Sequence, residues 1–214
     1  LQKRGEGQKV LAFIQARTGS KRFPNKIYAD INGQTMISHV ISRVKQSKLV
    51  NDVIVVSPTP LHLPEGTKSF VYSGPEDDVL GRYIAALNEY PCDYVVRITA
   101  DCPLIDPNLI DRIVYETFGY DYGSNVLVLT FPDGVDTEVI SAKTLRRLND
   151  EVKEAHLREH VTLSLRENPF IQSELKLVSV ESTKDYSYIK ISVDHEEDLE
   201  RVRKLMEDGC LTAR

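Results

Sequence analysis

Short apolar runs alternate with helix-period stripes along this chain, and that alternation narrows its possible folds more than any other feature. "KVLAFIQ" is continuously apolar from Val10 to Ile14, the pattern of a strand buried on both faces. "TMISHVISRVKQS" follows, with Met36, Ile37, Val40, Ile41 and Val44 on one helical stripe. "DVIVVS" and "KSFVYSG" predict two further strands. "DDVLGRYIAALNEY" predicts a helix that starts near Asp77 or Asp78 and turns Val79, Leu80, Tyr83, Ile84 and Leu87 inward. "DYVVRIT" reads as a strand and "PNLIDRIVYETF" as a helix with Pro107 in its first turn. Strand and helix in this order build βαβ units around a parallel sheet.

The last third changes character. "DTEVIS", "SELKLVSV" and "YIKISVD" read as strands, "AKTLRRLND" and "EAHLREHVTLSLREN" as helices, and "EEDLERVRKLMED" as a final amphipathic helix. The expectation is an α/β fold, a mixed and mostly parallel sheet flanked by helices, with antiparallel additions in the C-terminal third. Neither a low-complexity linker nor a repeat divides the chain, so residues 1–214 read as one domain with a loose tail over 1–8. "PTPLHLPEGT" reads as a surface loop.

Charge and cysteines exclude several classes. A net charge of −5 over 214 residues does not suit a nucleic-acid coat. Cys92, Cys102 and Cys210 are far apart and form neither a zinc-binding pattern nor a disulfide framework. No apolar run reaches the ~20 residues that span a bilayer. A cytoplasmic protein with no membrane or nucleic-acid partner is expected.

Against the acidic whole, "ARTGSKRFPNK" brings together Arg17, Lys21, Arg22 and Lys26 without an acid. It leaves the end of the first strand, the edge where ligands bind in parallel α/β sheets. Gly19 lets backbone amides approach an anion, Ser20 offers a hydroxyl, and the cations supply charge-assisted hydrogen bonds. A phosphate chain is the expected anion, and a solvated basic turn is the alternative. G-x-x-x-x-G-K-[ST] and G-x-G-x-x-G are both absent from this loop.

The pattern R-x-G-S-x-R-x-P-x-K over Arg17–Lys26 resembles the nucleotide-binding segment of the sugar-activating cytidylyltransferases. That group includes the acylneuraminate and 3-deoxy-manno-octulosonate enzymes, and the likeness is strongest to the spore coat polysaccharide biosynthesis protein F branch. "EDDVLGRY", "VVRITADCPLIDPNLID", "FPDGVDTEVI", "REHVT" and "ISVDHEEDLERV" follow in that branch's order. The resemblance implies a Rossmann-like nucleotidyltransferase fold. It implies transfer of CMP from CTP, with Mg2+, to a sugar or small phosphorylated acceptor, releasing pyrophosphate for glycan or surface polysaccharide synthesis. It implies triphosphate contacts from Arg17, Gly19, Ser20, Arg22 and Lys26, with Gln15, Ala16, Asp78, Arg82 and Thr99 completing the nucleotide site. It implies metal binding by Asp101 and Asp194, and a homodimer. One departure stands out: between "VIVVS" and "SGPEDDVL" the family's helical segment is replaced by the Pro-rich loop, which leaves the base open.

Each residue carries a second reading. Asp101 follows a strand, where aspartates form turns, but Asp106 is the better helix cap. Asp194 is metal ligand or cap of the last helix. Arg82 reaches the nucleotide, as Arg97 does, or pairs with Asp78 at i, i+4. Asp133, Asp136, Ser124, Asn125, Arg158, Glu159 and His160 are acceptor candidates, with His160 either base or structural. A nucleotide-sugar glycosyltransferase is one rival, but Asp-x-Asp occurs nowhere in the chain. A non-catalytic nucleotide-binding module is the other, and it would lack the metal carboxylates.

Overall fold

The computed structural model describes residues 5–207, so tail residues 1–4 and Cys210 lie outside them. The elements in chain order are β1 (Val10–Gln15), a 3-10 turn (Lys26–Tyr28), β2 (Asp30–Ile31), β3 (Gln34–Thr35), α1 (Met36–Val44), β4 (Asp52–Ser57) and β5 (Lys68–Val71). Then come α2 (Val79–Glu89), β6 (Tyr94–Thr99), α3 (Pro107–Thr117), β7 (Tyr122–Ser124) and β8 (Glu138–Ser141). Helices α4 (Ala142–Glu151), α5 (Ala155–Glu159), α6 (Leu163–Glu167) and α7 (Pro169–Glu174), strand β9 (Leu177–Ser179) and helix α8 (Glu196–Glu207) complete the described chain.

Seven strands form one sheet in the order β5-β4-β1-β6-β8-β7-β9. β5, β4, β1 and β6 are mutually parallel, while β8 runs antiparallel to β6 and β7. The mixed sheet with C-terminal antiparallel additions is therefore as expected. Successive side chains of β1 serve opposite faces. Ile14 packs with Ile37, Val40, Ile110, Ile113 and Val202 on one face. Phe13 packs with Leu80, Tyr83, Leu145, Leu148 and Leu165 on the other. β1 and β6 are thereby covered on both sides, and their C-terminal ends emerge side by side: Gln15 is registered with Thr99.

Helix starts follow the sequence. Thr35 caps α1, Asp78 caps α2 through the Gly81 N–H, and Asp106 caps α3, leaving Asp101 free of that task. The Pro-rich stretch is a loop, tied down where His62 N–H donates to the Tyr28 hydroxyl at 3.0 Å.

Two expectations fail for local reasons. "YIKISVD" is not a strand; it makes only an isolated bridge between Lys190 and Asp133. Its amides are committed elsewhere, with Ile191 and Ser192 donating to the Asp133 carbonyl and Val193 to the Asp101 carbonyl. Gly134 permits this crossing, because at φ 115 a Cβ would lie 2.4 Å from Ser192 N. "EAHLREHVTLSLREN" is not one helix, since buried Val161 adopts φ 53 and splits it into α5 and α6. A β-branched residue in the left-handed region is strained, and its burial holds it there. Among the described residues, no helix is long and apolar enough to cross a membrane.

Candidate active site

The loop after β1 is closed on itself by the carbonyl of Thr18, which accepts from the N–H groups of Ser20 and Asn25. The Ser20 hydroxyl accepts from Phe23 N–H at 3.3 Å, and Asn25 takes the left-handed conformation that starts the 3-10 turn. This turn carries Lys26 back under the loop. A cleft of about 580 Å³ lies between the loop, the ends of β1 and β6 and the segments before α2 and α8. It gathers Gln15, Arg17, Gly19, Ser20, Arg22, Lys26, Thr99, Asp101, Glu159 and Asp194, ten of the residues singled out from sequence. Lys21 of the same basic loop lines it too, together with Ile27, Asp77 and Ala100, which had no site role assigned from sequence.

At the floor, Lys26 Nζ donates to Asp101 Oδ2 at 3.0 Å, Asp194 Oδ1 at 3.2 Å and the Val193 carbonyl at 2.8 Å. Two carboxylates from distant segments thus share one cation. Asp194 also accepts from Arg22 at 2.9 Å and Lys190 at 3.2 Å. Burial pushes its carboxyl upward, but Lys26 and Lys190 outweigh that and hold it below the ordinary range. Asp194 is not the helix cap. Buried Asp198, in the first turn of α8, reaches back instead: its Oδ2 accepts the N–H groups of Asp194 and His195, the residues before the helix, both at 3.0 Å. Lys190 and Arg201 also donate to Asp198. Burial raises the Asp198 carboxyl, yet these donors together hold it far below the usual value.

The remaining candidates separate. Ala16 is buried, and its N–H donates to Val56. Asp78 pairs with Arg158 at 2.8 Å rather than with Arg82; Arg82 is buried and donates to the Glu76 carbonyl at 2.6 Å. Arg158 also donates to Asn149 and the Val152 carbonyl, so it clamps α5 to the start of α2. Ser124 and Asn125 are buried and committed to stapling β7 to Val135 and Thr137. His160 is exposed at the end of α5. Arg97 lies behind the cleft, ion-paired with buried Glu138. Asp133 is exposed. The Asp136 carboxyl is pushed up to about 6, first by burial and then by the neighbouring charges of Asp133, Glu138 and Asp101.

Among the described residues, no three His, Cys, Asp or Glu side chains form a group that could hold a metal. Two carboxylates converging on one cation are nevertheless what Mg2+ takes from a protein when phosphate oxygens and waters supply the rest.

A family model described as cytidylyltransferase matches residues 11–213. The chain is 33% identical over 171 residues to protein MJ1063 of Methanocaldococcus jannaschii, covering 75% of this chain and 68% of that protein. It is 27% identical over 208 residues to spore coat polysaccharide biosynthesis protein SpsF of Bacillus subtilis, covering 92% and 85%. A cytidylyltransferase structure from Leptospira borgpetersenii superposes with TM-score 0.85 at 28% identity, covering 94% of this chain and 87% of that one. The CMP:2-keto-3-deoxy-manno-octonic acid synthetase structure complexed with CTP shares the fold at TM-score 0.70 and 17% identity, covering 94% and 99%.

Proposed function

The chain belongs to the cytidylyltransferase family, and we propose that it transfers CMP from CTP, with magnesium, to a sugar or small phosphorylated acceptor used in surface polysaccharide synthesis. The observation that carries this reading is the cleft floor, where Asp101 and Asp194 share Lys26 beneath a loop bearing Arg17, Lys21 and Arg22.

In the reaction, an acceptor oxygen bonds to the α-phosphorus of CTP, the bond from that phosphorus to the bridging oxygen breaks, and pyrophosphate leaves. Positioning and charge neutralisation are the main requirements. Arg17, Arg22 and Lys26 are the side chains to meet the charge accumulating on pyrophosphate. Each is parked on a carboxylate in the free protein: Arg17 on Glu76 at 3.7 Å, Arg22 on Asp194, and Lys26 on Asp101 and Asp194. Triphosphate oxygens would replace these partners. Asp101 and Asp194 would hold Mg2+, which supplies neutralisation of phosphate charge. Removing one such electrostatic contact typically raises the barrier by about 3 kcal/mol.

An anionic acceptor oxygen needs no base, whereas a hydroxyl must lose its proton. The assigned acceptor side is Glu159, with Asp133 and Asp136 on the turn around Gly134. A cytoplasmic location belongs to the same reading, since a nucleoside triphosphate is the donor. So does the homodimer, for which exposed Val128, Leu129 and Tyr188 offer apolar surface on two loops joined by the Tyr186 N–H bond to Thr130.

The test is a thermal-shift comparison of CTP, UTP, ATP and GTP with and without magnesium. A ligand at about 100 times its dissociation constant stabilises by roughly 2.7 kcal/mol. Magnesium-enhanced stabilisation selective for CTP is expected; no response to any triphosphate would refute the reading.

A further inference from the structure

A buried polar chain behind the cleft has no part in the chemistry above. Glu138 is buried with both oxygens occupied, one by the Arg97 guanidinium and the other by the Tyr122 hydroxyl at 2.5 Å. Held in this way, Arg97 aims Nη2 at Oε1 of Gln15, 3.2 Å away. The sheet explains the meeting: Gln15 is registered with Thr99, two residues beyond Arg97 on the same face of β6. Within this chain of groups, Gln15 is the residue that lines the cleft.

A guanidinium carries N–H donors and no acceptor. The Gln15 carboxamide therefore has one workable orientation, with its oxygen toward Arg97; the flipped amide would set donors against donors. The NH2 group is left facing away from Arg97, and it finds no acceptor among the described residues. The cleft is thus lined at the end of β1 by a hydrogen-bond donor whose polarity is fixed from behind.

We propose that Gln15 reads the nucleobase, donating its NH2 to the N3/O2 edge of cytosine, and that Arg97, anchored by Glu138, is the positioning residue that fixes this polarity. The inference rests on the CTP reading. Cytosine presents two adjacent acceptors, N3 and O2, whereas uracil carries a proton on N3. A fixed donor facing N3 matches cytosine and opposes uracil, whereas O2 accepts in both bases and does not discriminate. A flipped amide would present its oxygen and favour uracil. A site that leaves polar groups unpaired against the wrong ligand discriminates more strongly than one relying on shape.

The test is calorimetric binding of CTP and UTP, with magnesium, to the wild-type chain, Gln15→Glu and Arg97→Lys. Gln15→Glu removes the donor while keeping an acceptor for Arg97. It should lower the ratio of UTP to CTP dissociation constants by about 10-fold or more, the scale of one lost hydrogen bond. Arg97→Lys keeps a cation beside Glu138 but lacks the fork that holds Gln15, and should narrow the same ratio. Circular dichroism checks that each variant folds, and Gln15→Glu decides the matter if Arg97→Lys does not fold. An unchanged ratio in folded Gln15→Glu, or equal losses for both nucleotides, would overturn the inference alone. A wild-type chain with no preference for CTP would overturn the proposed function with it.

Discussion

Replacing Asp198 by alanine should unfold the chain more readily and in a pH-dependent way. The side chain is buried and accepts four hydrogen bonds, from Asp194 N–H, His195 N–H, Lys190 and Arg201, at 2.9–3.0 Å. Losing the two amide bonds at the start of α8 is comparable to losing a helix cap, about 1–2 kcal/mol. Lys190 keeps Asp194 as partner, so its lost bond costs about 1 kcal/mol. Arg201 is 43% exposed and contributes at most a few tenths once screened by water. The expected loss at pH 7 is about 2–3 kcal/mol by these magnitudes. The Asp198 carboxyl titrates far below its unfolded value near 3.9, so its contribution is complete above about pH 4 and fades as pH falls further. Urea denaturation at pH 7 and pH 3 measures both quantities, and Asp198→Asn should recover part of the loss by accepting the two amides. A loss below about 0.5 kcal/mol, against the 1–2 kcal/mol of the cap bonds alone, would refute the reasoning, as would an equal loss at both pH values.

Arg158→Ala leaves Asp78 without its ion-pair partner and frees α5 from α2; about 2–3 kcal/mol of stability should be lost by equilibrium denaturation, less than for a fully buried pair. Arg22→Ala should weaken CTP binding far more than cytidine binding, measured by calorimetry; equal weakening would move Arg22 away from the phosphates. Asp136 has a raised folded value of about 6, so stability should fall as pH rises from about 4 to 6. Asp136→Asn should remove that slope and be more stable at pH 7 by on the order of 2 kcal/mol, read from urea midpoints.

The parallel half of the sheet was legible because β1, β4 and β6 are continuous apolar runs, and the α1, α2 and α3 stripes carry visible caps. β9 lies within "SELKLVSV" as expected, but β7, three residues long, is too short to leave a periodic signal, and the β2–β3 hairpin has two-residue strands. "YIKISVD" has strand-like residues, but what holds it are carbonyls of Asp133 and Asp101, contacts that no local pattern records. The same division runs through the site. Arg17, Gly19, Ser20, Arg22 and Lys26 are neighbours in sequence and can be read together. Arg158 meets Asp78 across 80 positions, and Asp194, whose place before the helix suggested a cap, is turned to Lys26 while Asp198 inside α8 accepts its amide. Both outcomes depend on which segments the fold brings together, which no local pattern records. The commitment of Ser124 and Asn125 to a staple was hidden for the same reason.

The most direct test compares CTP affinity with and without magnesium in the wild-type chain and in Asp101→Ala, with folding checked by circular dichroism. Magnesium should strengthen CTP binding in the wild type and leave Asp101→Ala almost unaffected. An equal magnesium effect in both proteins would contradict the assignment of Asp101 and the cleft floor it shares with Asp194.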